Sequence, residues 1–76
     1  MMSKRDQSEQ RLLKLVSDYM HGNFTINSEK PLIEEIISLV SPELTDDDVF
    51  EMIFEGEIET PEEGVVALRA LAEKKR

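Results

Sequence analysis

Cysteine is absent from these 76 residues, which excludes a disulfide framework and any site built on thiolates. One histidine, His21, supplies no histidine cluster for a metal and no Ser, His and Asp arrangement for nucleophilic chemistry. The three glycines are scattered, so no glycine-rich loop is present to cradle a phosphate. No apolar run is long enough for a signal peptide or a membrane span, and the opening MMSKRDQSEQ is charged, so a soluble, cytoplasmic protein is expected.

The most telling absence is of positive charge. All nine Lys and Arg lie between Lys4 and Lys30 or between Arg69 and Arg76. Between them Glu34, Glu35, Glu43, Asp46, Asp47, Asp48, Glu51, Glu55, Glu57, Glu59, Glu62 and Glu63 have no cation in their midst, and the net charge is −8. Such a surface repels phosphate backbones and anionic lipid, so direct binding to nucleic acid or membrane is not expected. A basic protein partner is its natural complement. Ordinary surfaces intersperse the two signs, because like charges repel.

What is present is a globular balance, with 39% hydrophobic and 34% charged residues, in a chain near the size at which one core barely suffices. Helical periodicity recurs in four segments. The first places Leu12, Leu15, Val16, Tyr19 and Met20 on one face and is expected over about residues 6–21, capped by Ser3 or Asp6 and ended by Gly22. A loop anchored by Phe24 and Ile26 follows. The second, about 29–40, has Ser28 as N-cap, Pro31 in its first turn and Pro42 beyond its end. Its apolar face takes in Leu32, Ile33, Ile36, Ile37, Leu39 and Val40.

Thr45 and Asp48 form a short capping box for a third helix over about 46–54, with Val49, Phe50, Ile53 and Phe54 on its buried side. Thr60, Pro61 and Glu63 make the strongest start signal, for a fourth helix over about 61–74. The expected fold is therefore all-α, a single-domain four-helix bundle-like arrangement over residues 1–76 with a short third helix, frayed at 1–5 and 75–76. The expected core is Leu12, Leu15, Val16, Tyr19, Leu32, Ile36, Leu39, Val49, Ile53, Val65, Leu68 and Leu71.

Counted from Asp46, a calcium loop would place Phe50 at its third ligand and Glu51 where glycine is needed. A catalytic carboxylate pair needs a dry pocket that separates two pKa values, and a chain this small has little interior to spare. No enzyme activity, metal or cofactor is expected, and His21 reads as a solvated residue at a helix end.

Four short stretches give a resemblance. LKLV at Leu13 to Val16, SEKPLI at Ser28 to Ile33, DVFEMI at Asp48 to Ile53 and TPEEGVV at Thr60 to Val66 resemble, in order and spacing, the immunity proteins of DNase colicins and pyocins. That family comprises small acidic four-helix inhibitors. The chain departs from it at Glu51 and Met52, where the family has paired tyrosines, by one extra residue before Gly64, and in its tail ALAEKKR. The resemblance implies an inhibitor that docks helices two and three beside a basic nuclease's active site. On that reading the partner-binding residues are Glu34, Glu35, Asp47, Asp48, Glu51, Met52 and Glu55, with the carboxylates steering association and Met52 as apolar contact. An alternative reading is a small regulatory adaptor or phage-encoded modulator, monomer or homodimer, that binds a transcription factor or enzyme; LVSDYMHGNFTINSEKPLIEEII is similar to small biofilm and acid-resistance regulators of enteric bacteria. A dimer through helix one would favour that alternative.

Overall fold

The protein was analysed as a computed structural model, which describes residues 4–75, with side chains from Gln7 onward. Its elements are α1 (Lys4–Met20), α2 (Glu29–Val40), α3 (Asp46–Phe50) continued by a π-helical turn (Glu51–Glu55), and α4 (Pro61–Lys75). No strand occurs among the described residues. Ser3 lies outside them, and Asp6 stands inside α1 rather than at its start. Lys4, Arg5 and Lys75, expected at frayed ends, are helical.

Local chemistry explains each boundary. Gly22 ends α1 at φ 74°, where the Asn23 N–H donates to Asp18 O at 2.8 Å and the Gly22 N–H to Tyr19 O at 3.2 Å. These are the paired bonds of a Schellman motif, which needs a left-handed residue at that point. At α3, Thr45 Oγ1 accepts from the Asp48 N–H at 3.2 Å while Asp48 Oδ2 accepts from the Thr45 N–H at 2.9 Å, closing the capping box. At α4, Thr60 Oγ1 accepts from the Glu63 N–H at 3.3 Å, and the Glu63 carboxylate accepts from the Glu59 N–H at 3.1 Å.

Ser28 departs from expectation. It occupies the N-cap position of α2 without capping it; its hydroxyl instead accepts from the Thr25 N–H at 2.8 Å. That Thr25–Ser28 turn carries Ile26 outward to 91% exposure, so Phe24 alone anchors the loop, packed against Tyr19 with ring centroids 5.2 Å apart.

α1 lies against both α2 and α4, and its Leu12, Leu15, Val16 and Tyr19 are buried together with Ile36, Val49, Ile53, Val65 and Leu68. Ile33, Leu44 and Ala72 complete the core, in place of Leu32, Leu39 and Leu71, which are only partly buried. The radius of gyration is 11.7 Å, close to the roughly 11.4 Å of a compact chain of this length.

Gly64 lets α4 approach α1. A Cβ there would meet Val16 Cγ1 at 2.9 Å and Ile58 Cδ1 at 2.8 Å, so bulk at this point would require those side chains to shift.

Candidate functional site

The outer side of α3 and its π-helical extension carries an aromatic row beside an acidic one. Val49 and Ile53, four residues apart, turn inward and are buried. The next row, Phe50 and Phe54, was expected to follow them. It does not: the two rings remain 45% and 43% exposed, with centroids 5.3 Å apart. Tyr19 explains the difference, because its own ring fills the space beneath and meets Phe54 edge-on at 4.9 Å. A third row, Asp47, Glu51 and Glu55, again at spacings of four and exposed, flanks the aromatic pair.

A π-helical turn is rare and tends to mark functional segments. Here it closes on Gly56, where any Cβ would collide with the Met52 carbonyl oxygen. Met52 is half-buried against the core, so it supplies less apolar contact surface than the phenylalanines beside it.

The remaining members of the sequence-derived set divide. Glu34 is exposed on α2, on the side it shares with Lys30 one turn earlier. Glu35 turns towards α1 and pairs with Arg11, whose guanidinium is held above its ordinary pKa, first by that hydrogen bond and then by the Glu35 charge. Asp48 is drawn into structure twice, by the capping box and by an ion pair with Lys75. The Lys75 hydrogen bond is the largest cause holding its carboxyl below the ordinary aspartate value, against a smaller contrary effect of burial. Two cations from outside the acidic segment thus pair with two members of the sequence-derived set, and the carboxylates of that set left to act outward are Glu34, Asp47, Glu51 and Glu55.

Sequence reasoning missed Phe50 and Phe54 as surface residues. Their adjacency to Val49 and Ile53 assigns them to the buried side of the third helix, because a period near four fits either row, although the expected core did not include them. Spacing alone does not distinguish the two rows.

Between the end of α1 and the starts of α2 and α3 lies an open hollow of about 280 Å³, bordered by Glu29, Lys30, Asp46, Asp47 and Phe50, with Tyr19 and Ile33 at its base. A second hollow, of about 410 Å³, is lined by Ile58, Glu62, Glu63, Val66 and Ala67. It is apolar, lacks an aromatic side chain and is bordered by two carboxylates. Among the described residues no group of three His, Asp or Glu side chains is close enough to hold a metal ion, and no helix is long and apolar enough to cross a membrane.

Comparison of the chain with family models, with curated proteins and with solved structures finds no match. The site is therefore read from its own chemistry.

Proposed function

We propose that this chain is a non-enzymatic protein-binding module of the immunity type, which docks the outer side of α3, with Glu34 of α2, on a basic partner such as a nuclease toxin and blocks it. The observation that carries this reading is the half-exposed Phe50 and Phe54 pair beside the row Asp47, Glu51 and Glu55. Aromatic anchors dominate the energetics of protein interfaces, whereas rim charges chiefly govern the rate and selectivity of encounter. An aromatic pair framed by carboxylates of one sign combines both roles on one surface. Two phenylalanines left in water cost a small domain burial that it would otherwise gain. A partner that covers them restores it.

The apolar side of α1 is spent inside the fold, since Leu12, Leu15, Val16 and Tyr19 are all buried.

The test compares two charge reversals of equal size in binding to the basic protein captured from the native host. Glu34, Glu51 and Glu55 changed together to Lys should slow association steeply. Glu59, Glu62 and Glu73 changed together should slow it slightly, and the difference should shrink as salt screens the field. Phe50→Ala with Phe54→Ala should act on dissociation instead. Equal effects of the two triples would refute a localised docking face, leaving net charge alone as the determinant.

A further inference from the structure

Tyr19 poses a problem that the docking face does not resolve. Its side chain is 0% exposed, and its hydroxyl is the one buried side-chain polar atom among the described residues without a hydrogen-bond partner. Burying a hydroxyl unpaired is costly, and native proteins rarely leave one so. Tyr19 is among the residues that line the hollow between α1, α2 and α3. The charges of Glu29 and Asp46 act on it, since after burial they are the next causes that raise its pKa.

We propose that this hollow is an anchor site for an arginine side chain of the protein partner, with the guanidinium placed among Glu29, Asp46 and Asp47 and donating an N–H to the Tyr19 hydroxyl. The proposal rests on the docking reading for the source of the arginine, and on the hollow's own chemistry for the choice of group. Three carboxylates against the single ammonium of Lys30 leave the border negative, so the occupant is a cation. The carboxylates are not grouped closely enough to hold a metal ion; a planar guanidinium, with its fork of N–H donors, reaches groups set apart from one another. Phe50 on the border offers a ring face on which such a plane stacks. The volume, about 280 Å³, is slightly below the roughly 300–1,000 Å³ of pockets for whole small molecules, and suits one side chain. The positive helix ends nearby would favour an anion, but Glu29 in the first turn of α2 and Asp46 and Asp47 in the first turn of α3 already answer them.

The experiment needs no partner. N-acetylarginine amide is titrated into the labelled protein at constant ionic strength, with N-acetyllysine amide as comparison, and amide shifts are followed. The expected result is saturable shifts confined to residues near Tyr19, Glu29, Asp46 and Phe50, with the arginine compound bound more tightly than the lysine one. Tyr19→Phe should weaken binding about 2- to 10-fold, the range of one hydrogen bond. Asp46→Asn, on the surface, should weaken it too, and Lys30→Met should strengthen it by removing a competing cation. Non-saturating shifts spread over the acidic surface, alike for both compounds, would overturn the proposal, as would undiminished binding by a folded Tyr19→Phe variant. A negative titration removes the anchor site and leaves the docking face standing, because that face is decided separately by the charge reversals.

Discussion

Replacing Tyr19 by Phe should stabilise the protein, although it alters a residue at the centre of the core. Tyr19 is fully buried and packs against Phe24 and Phe54. The substitution keeps the ring and both ring contacts, and removes an oxygen that has no partner. Leaving a buried hydroxyl unsatisfied costs about 1–3 kcal/mol. Against this stands the small void left by one oxygen atom, so a net gain of about 1 kcal/mol is expected. In a domain of this size that corresponds to a rise in Tm of about 4–8 °C.

The pH dependence gives an independent check on the same atom. Burial first, then the Glu29 and Asp46 charges, push the Tyr19 hydroxyl from the ordinary phenol value near 10 up to about 12. The neutral form is therefore favoured in the folded state. Its contribution is complete below pH about 10 and is lost as the pH rises towards 12, so the wild-type chain should lose stability through this window. Tyr19→Phe should lack that part of the loss, while lysine titration contributes equally to both. Thermal denaturation followed by circular dichroism, at pH 7 and in steps above pH 9, measures the two effects. A variant destabilised by 1 kcal/mol or more at neutral pH, as expected for about one lost hydrogen bond, would refute the reasoning.

Two further outcomes follow from the packing and the caps. Ile36 is 0% exposed, so Ile36→Ala should cost about 2–5 kcal/mol, a large share of the roughly 5 kcal/mol at the lower end for small domains; an unchanged urea midpoint would place Ile36 outside the core. Asp48→Ala removes the acceptor of the Thr45 N–H and the partner of Lys75 and should cost about 1 kcal/mol at neutral pH. Because the folded Asp48 carboxyl lies below its ordinary value, its contribution is present above the ordinary aspartate range and is lost as pH falls through the folded value. The gap between wild type and variant should therefore close in acid, and a gap constant with pH would show that charge plays no part.

The elements were legible in the sequence where a few neighbouring residues decide them. Thr45 with Asp48, Thr60 with Glu63, and Gly22 each satisfy backbone groups within a few positions, so composition and spacing suffice. The phase of an apolar stripe is less certain. α2 offers Leu32 and Ile33, and α4 offers Leu71 and Ala72, as adjacent candidates, and only the direction of the neighbouring helix decides that Ile33 and Ala72 go inside. Leu44 carries no periodic signal at all, since it lies in the connection that follows Ser41. Contacts between distant segments were invisible for a plainer reason: Arg11 with Glu35, and Lys75 with Asp48, depend on which helices come to lie side by side. The π-helical turn has no compositional mark either, apart from a glycine at its end.

These contacts also bear on why the middle of the chain is so acidic. Asp48 and Glu63 cap helices, Glu35 faces Arg11, and Glu43 accepts from the Ser41 hydroxyl at 2.9 Å. Each of these carboxylates has a local structural role. Asp47, Glu51 and Glu55 are different: they are exposed, and they stand in line beside two phenylalanines that the fold leaves in water. Solubility explains charge beside an apolar patch, but it does not explain why the patch itself persists, because a polar residue at position 50 or 54 would serve solubility better. Nor does it explain an unpaired hydroxyl beneath a negatively bordered hollow, since phenylalanine at position 19 would fill the core without the penalty. Aromatic exposure and the orphan hydroxyl both weaken the isolated fold, and they adjoin, with Phe50 bordering the hollow that Tyr19 underlies. On the docking proposal, a single basic partner presenting an arginine would relieve both at once.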